Sequence, residues 1–135
     1  LADSPIVSVS ADATQDANNL NNTVVINLKM KNGSIASINY FANGNKAVPK
    51  EQIEVFSGGT IAQIDDFRSL KIFGNKSKTI KYKGQNKGHA NGVQTFLKSI
   101  SKGQPCPIPF EESYLSMLAT FKVNQSLKEN RKILI

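Results

Sequence analysis

The chain holds one cysteine, Cys106, and one histidine, His89. A single thiol excludes an internal disulfide and fits a reducing, cytoplasmic compartment. The two residues are not at ligand spacing, so no metal site is expected from the usual His and Cys sets. Cys106 lies between prolines in a connector, where it reads as a spacer and not as a nucleophile paired with His89. No apolar run approaches the ~18 residues of a membrane span, so no membrane partner is expected. There is no G-x-G-x-x-G after a strand, no G-x-x-x-x-G-K, no C-x-x-C and no H-E-x-x-H. The opening Leu1-Ala2-Asp3-Ser4-Pro5 lacks an initiator Met, a basic n-region and an apolar h-region, so no signal peptide is expected.

Arginine is also scarce. Of the 17 basic residues only Arg68 and Arg131 are arginines, and against 10 acids the net charge is +7. The lysines are densest between Lys71 and Lys87, with no aromatic residues interleaved at base-stacking spacing. The reading is a solvated lysine surface, not a nucleic-acid site, because net charge reports solubility before it reports a partner.

What is present is mostly strand. Residues 5–10 alternate in the period of a strand, and Pro5, which cannot donate to a ladder, points to an edge position. Residues 11–22 are polar and aperiodic and read as a mobile loop. Residues 22–30 alternate, with Val24, Ile26, Leu28 and Met30 on one side. The Asn32-Gly33 pair that follows predicts a hairpin with a type I′ turn, whose two central residues both need φ > 0. Residues 34–42, 51–56 and 60–65 complete a four-strand meander, with Gly58-Gly59 as its second tight turn. Leu70 and Ile72, then Ile80 and Tyr82, add a further hairpin. Ile133-Leu134-Ile135 can add a short strand.

At Gly88 the period changes. Val93, Phe96, Leu97 and Ile100 recur at helical spacing, predicting a helix over 89–102 that Gly103 stops in the αL position. Three prolines in 105–109 make a stiff connector. A second helix opens at Phe110, with Glu111 and Glu112 where the macrodipole favours acids. Tyr114, Leu115, Met117, Leu118, Phe121 and Leu127 form its broad apolar face, to about Lys128. Strands first and helices last make an α+β fold: a predominantly antiparallel open sheet with two C-terminal helices packed on one face, in a single domain over 1–135. The other face has no helix left to cover it. Ile35, Phe41 and Phe56 are placed there as a tentative interface.

The adjacent pairs Asp65-Asp66 and Glu111-Glu112 point neighbouring side chains apart and do not form a shared-proton dyad. Asp66 reads as a cap on the turn into Phe67. Lys87-Gly88-His89 joins a cation, a flexible residue and an imidazole where the sheet hands over to a helix start, a place that favours an anion. His89 is also the one group whose ordinary pKa lies near neutrality. The alternative is that Gly88 caps the helix and His89 is a half-exposed first-turn residue.

Several stretches together resemble a known family. Gly33-Ser34-Ile35-Ala36-Ser37-Ile38-Asn39-Tyr40-Phe41-Ala42-Asn43-Gly44, Pro49-Lys50-Glu51-Gln52-Ile53-Glu54-Val55-Phe56, Gly58-Gly59 and Asp65-Asp66-Phe67 are similar to the C-terminal domain of the glucose–fructose oxidoreductase / inositol dehydrogenase (Gfo/Idh/MocA) family. Lys87-Gly88-His89 and Ile108-Pro109-Phe110-Glu111-Glu112 continue the likeness. The branch resembled is one of bi-domain sugar-pathway oxidoreductases. The resemblance implies an N-terminal Rossmann domain for NAD or NADP, absent from this chain, and a sheet that shapes the substrate site and forms the oligomer interface. The family's Glu-Lys-Pro motif and its catalytic Asp and His have no counterpart here, so no catalytic residue is assigned. Lys87 and His89 match a recurrent Lys-Gly-His of that branch and are tentative substrate contacts. Asn91 and Gly92 depart from its pattern.

The expected function is therefore the substrate-binding and oligomerisation domain of an NAD(P)-dependent oxidoreductase acting on a sugar, sugar derivative or cyclitol. The expected partners are the absent Rossmann domain, a sugar-type substrate and a second copy, as a homo-oligomer. The chain alone is expected to hold no cofactor and to catalyse nothing. The other reading is a stand-alone carbohydrate-binding or protein-interaction module.

Overall fold

The computed structural model describes residues 2–15 and 20–135. Asp16, Ala17, Asn18 and Asn19 of the expected loop lie outside the described residues. The chain forms two compact units, one of residues 1–44 and 108–135 and one of residues 45–107. Each has one four-stranded antiparallel sheet and one helix, so the α+β class with antiparallel strands holds. The strands do not form one continuous sheet, because β3 and β4, on either side of the polar residues 42–51, do not pair.

The first unit contains β1 (Ile6–Ala13), β2 (Thr23–Met30), β3 (Ile35–Phe41), α2 (Phe110–Glu129) and β8 (Ile133–Leu134). Its sheet runs β3-β2-β1-β8. The edge position expected for β1 is therefore corrected: β1 lies between β2 and β8. Pro5 precedes the strand and needs only its carbonyl, which accepts Lys31 N–H at 2.9 Å. β1 also runs on through Ala13, three residues into the expected loop. A bulge between Ile6 and Ser8 admits Val7 as an extra residue.

One row crosses this whole sheet in register: Ala36, Leu28, Val9 and Ile133. Val9, Ile133 and Ala119 of α2 form the buried core, with Ile6, Leu28, Val123 and Ile135 packed around them. The face that α2 gives the sheet is narrow and made of small side chains. Ala119 and Ser126 are its buried residues, while Tyr114, Met117 and Phe121 are exposed. This differs from the broad apolar face read from the sequence. A helix approaching a sheet this closely has room for small residues at the contact, and the bulky ones turn outward.

Ser126, only 1% exposed, is the joint of this unit. β8 pairs with Ser8 and Val9 and goes no further, so Ala11 N–H has no strand partner on that side. The Ser126 hydroxyl accepts that N–H at 3.1 Å and donates to the Arg131 carbonyl at 2.6 Å.

The Asn32-Gly33 hairpin forms, but not as type I′. Gly33 has φ 90, while Asn32 is not among the positive-φ residues. Gly33 N–H bonds the Met30 carbonyl, and Met30 N–H bonds the Ser34 carbonyl. That is a three-residue loop: an ordinary turn followed by one αL glycine. Asn32 stays right-handed because its side chain is used, accepting Ser34 N–H and donating to the Ala2 carbonyl.

The second unit contains β4 (Gln52–Ser57), β5 (Thr60–Asp65), β6 (Ser69–Phe73), β7 (Lys78–Lys81) and α1 (His89–Ser101). Its sheet follows chain order, β4-β5-β6-β7. The turn with two positive φ angles is here, at Gly58 (φ 53) and Gly59 (φ 77). Helix α1 ends as expected: Gly103 N–H bonds the Ile100 carbonyl and Gln104 N–H the Ser99 carbonyl, the paired bonds of an αL stop.

The reversal from β5 to β6 is strained. Asp66 and Phe67 both have φ near +50, without glycine's freedom. Left-handed residues of this kind persist only where surrounding bonds over-determine them. Here Asp66 is buried, and its carboxylate accepts from Arg68 Nε at 2.9 Å and Gln85 Nε2 at 2.7 Å. Its N–H bonds the Glu51 carbonyl at 2.7 Å. So Asp66 does more than cap a turn; it ties three segments together.

Two outcomes follow from these joints. Ser126→Ala leaves the Ala11 N–H and the Arg131 carbonyl without a partner, and should destabilise the chain by about 1–3 kcal/mol, read from the urea midpoint at unchanged slope. The second outcome concerns pH. Arg68, with Gln85, holds the Asp66 carboxyl below its ordinary value despite the opposing effect of burial. A depressed folded pKa gives stability that is present above the unfolded value and lost as pH falls through the folded value. Asp66→Asn should lower stability at neutral pH and flatten its decline below the ordinary Asp range. A parallel decline in both proteins would remove Asp66 as a cause.

Candidate functional site

The Lys87-Gly88-His89 candidate is built on the second unit's sheet. Glu51, the Asp65–Arg68 reversal and the end of β7 all lie at one end of that sheet. After β7 the chain crosses this end. Tyr82 N–H bonds the Arg68 carbonyl at 2.8 Å, and Asn86 N–H bonds the Phe67 carbonyl at 2.9 Å. The strained reversal thus offers two carbonyls that fix the following segment. Asn86 Oδ1 accepts Gly88 N–H at 3.2 Å, and Gly88 sits at the N-cap of α1 with φ 76. A side chain there would be forced into the left-handed region, so glycine suits the position.

Lys87 is drawn back by this geometry. Its ammonium donates to Glu51 Oε1 and stands 5.7 Å from the centre of the Phe67 ring. The pair is about one-third exposed on each side. Glu51 Oε2 is buried and has no hydrogen-bond partner among the described residues. His89, by contrast, opens α1 and is exposed. The two candidates therefore stand side by side in different states, one in an ion pair and one facing solvent. Sequence reading missed Glu51 and Phe67 as Lys87's partners, because they are brought to it by sheet register across tens of residues.

The three interface candidates are all exposed: Ile35 at 81%, Phe41 at 55% and Phe56 at 69%. Ile35 and Phe41 alternate out of phase with the core row through Ala36, so they lie on the sheet face opposite α2. Phe56 belongs to the other unit. A hollow of about 390 Å³ lies in the first unit, lined by Asp12, Thr14, Asn124 and Lys128 among others, and contains none of these candidates. Among the described residues no group of three or more His, Cys, Asp or Glu could hold a metal ion, and no helix is long and apolar enough to cross a membrane.

A nicotinamide dinucleotide binds at a parallel βαβ turn, with its pyrophosphate at a helix N-terminus after a Gly-rich loop. Every strand pair described here is antiparallel. The residues of this chain do not fit that group.

No family model and no curated protein sequence matches the chain. Solved structures do. An NAD-binding oxidoreductase from Klebsiella pneumoniae superposes with a TM-score of 0.81 at 14% identity, over 97% of this chain and 46% of its own. A UDP-N-acetylglucosamine 3-dehydrogenase from Acidithiobacillus ferrooxidans gives 0.79 at 15% identity, over 93% and 41%. An oxidoreductase from Agrobacterium radiobacter, solved with NAD+, L-tartaric acid and magnesium, gives 0.77 at 11%, over 96% and 43%. The chain spans less than half the length of each. Over nearly its whole length, then, the chain has the fold of one part of Gfo/Idh/MocA-type oxidoreductases, as its sequence resemblance to their C-terminal domain implied.

Proposed function

We propose that residues 1–135 act as one domain, the substrate-binding and assembly domain of a nicotinamide-dependent oxidoreductase acting on a sugar, sugar derivative or cyclitol. The observation that carries this reading is the fold shared over at least 93% of the chain with enzymes whose own chains are more than twice as long. In this reading the dinucleotide, NAD or NADP, is held by a separate Rossmann domain. The compartment is the cytoplasm. Ile35, Phe41 and Phe56 belong to surfaces through which copies associate.

Lys87 and His89 are the proposed substrate contacts. His89 presents an imidazole to solvent at a helix start, and Lys87 presents a cation already held by Glu51. A hydroxylated substrate offers donors and acceptors to both. Glu51 keeps Lys87 from swinging freely, which reduces the ordering that binding requires.

The exposed apolar side chains also favour a second reading, a stand-alone carbohydrate-binding or interaction module. The coding region upstream of Leu1 separates the two. A Gly-rich dinucleotide fingerprint and a Glu-Lys-Pro motif there support the enzyme; a start codon close to Leu1 supports the module.

Two measurements test the enzyme reading. Titration calorimetry of this chain with NADH and NADPH should show no micromolar binding, and such binding would overturn the division of labour. In the intact enzyme His89→Ala should lower kcat/KM ten-fold or more, about 1.4 kcal/mol of transition-state binding, with the thermal midpoint almost unmoved. Normal kinetics with a large fall in midpoint would make His89 a structural residue only.

A further inference from the structure

The second unit's sheet has two unlike faces. One carries Ile53, Val55, Ile64 and Leu70 and is half-buried. The other is the more exposed, and its residues fall into three rows set by strand register. The first row is apolar: Phe56, Ile61 and Phe73 are direct cross-strand neighbours. The second row runs Glu54, Gln63, Lys71, Thr79. The third runs Gln52, Asp65, Ser69, Lys81. In both polar rows the acid lies on β4 or β5 and the lysine on β6 or β7. The face is divided along the strand direction, negative on one side and positive on the other, with an apolar band across one end.

That division selects how the face can meet its own copy. Two sheets packed with aligned strands can be related by a two-fold axis in the plane between them, either along the strands or across them. An axis across the strands puts acids over acids, lysines over lysines, and the apolar row over a charged row. An axis along the strands, between β5 and β6, puts apolar row on apolar row and each acidic side over the partner's lysine side. Glu54 and Asp65 then stand about one strand spacing, ~4.8 Å, from the positions opposite Lys71 and Lys81, within the reach of a lysine side chain. Like charges brought together cost several kcal/mol, so only the second arrangement is compatible with the face.

We infer that this sheet face docks with a second copy of the same chain about a two-fold axis parallel to the strands, with Glu54 and Asp65 of each copy facing Lys71 and Lys81 of the other. The inference rests on the assembly reading above and assigns it a surface, a symmetry and a charge register. The four-strand face measures roughly 19 by 17 Å, well under the ~800 Å² per partner of a standard interface. Association of this chain alone is therefore weak and is to be sought up to millimolar concentration.

The test uses two oppositely charged faces. Sedimentation equilibrium is run on the wild type, on Lys71→Glu/Lys81→Glu, and on Glu54→Lys/Asp65→Lys. The wild type should dimerise, and each variant alone should lose at least ten-fold in dimer affinity. Their equimolar mixture should recover a one-to-one dimer, because all-negative and all-positive faces complement each other in both halves of the two-fold. Lys76→Glu/Lys83→Glu, outside the three rows, should dimerise as the wild type does. Far-ultraviolet circular dichroism confirms folding, and Lys71→Gln/Lys81→Gln, which removes charge without reversing it, should also weaken the dimer. A wild-type dimer unchanged in all the charge variants overturns this inference and leaves assembly through another surface. A wild type monomeric throughout overturns the assembly reading as well. Single variants that weaken the dimer but fail to pair when mixed overturn the two-fold register.

Discussion

Everything in the first unit depends on Val9 and Ile133 being neighbours. Their pairing puts β1 in the middle of a sheet instead of at its margin, and it gives α2 a floor to lie on. The pairing is short, two residues of β8, so backbone bonding alone cannot hold it. The Ser126 hydroxyl extends it from the helix side by serving both Ala11 and the Arg131 carbonyl. A serine inside a helix is usually a poor choice on propensity. Here it replaces a missing stretch of strand.

The second unit works on a different principle. Among the described residues it has no fully buried apolar side chain; its buried residues are Asp66 and Ser99. Order at its functional end comes from hydrogen bonds that converge on a strained reversal. Strain and bonding are linked: the left-handed Asp66-Phe67 pair exposes the carbonyls that receive Asn86 and, through Arg68, Tyr82. The Lys87–Glu51 pair is about one-third exposed, so it contributes direction more than stability.

Much of this was legible in the sequence, and what was legible was local. Gly103 and the period of Val93, Phe96, Leu97 and Ile100 give α1 to within a residue at its end. Gly58-Gly59 gives its turn, and the alternations give β2 to β7 closely. What was not legible was set by partners distant in sequence. Pro5 argues for an edge only if the strand begins with it, and here it stands just outside. The separation of β3 from β4 depends on a polar connector that does not bring its ends into pairing. Ser126 and Glu51 have no local signature, since each matters for what lies against it. Asn32 was misread for a subtler reason. The dipeptide was right for a hairpin, but its side-chain bonds to Ala2 and Ser34 favour a longer loop.

The Ala11–Ser126 bond spans 115 positions of sequence, and this bears on the order of folding events. Closing a loop of that length carries an entropy cost that grows with the logarithm of its length, and contacts of such separation slow folding. The second unit's hairpins join near neighbours in the chain and need no such closure. They can form while β1 is still waiting for α2 and β8. The β2–β3 hairpin can also form early, which leaves β1 with one edge unpaired until Ile133 arrives. An unpaired interior edge is a template for other chains, so the interval before Ile133 docks is when this protein is most exposed to aggregation.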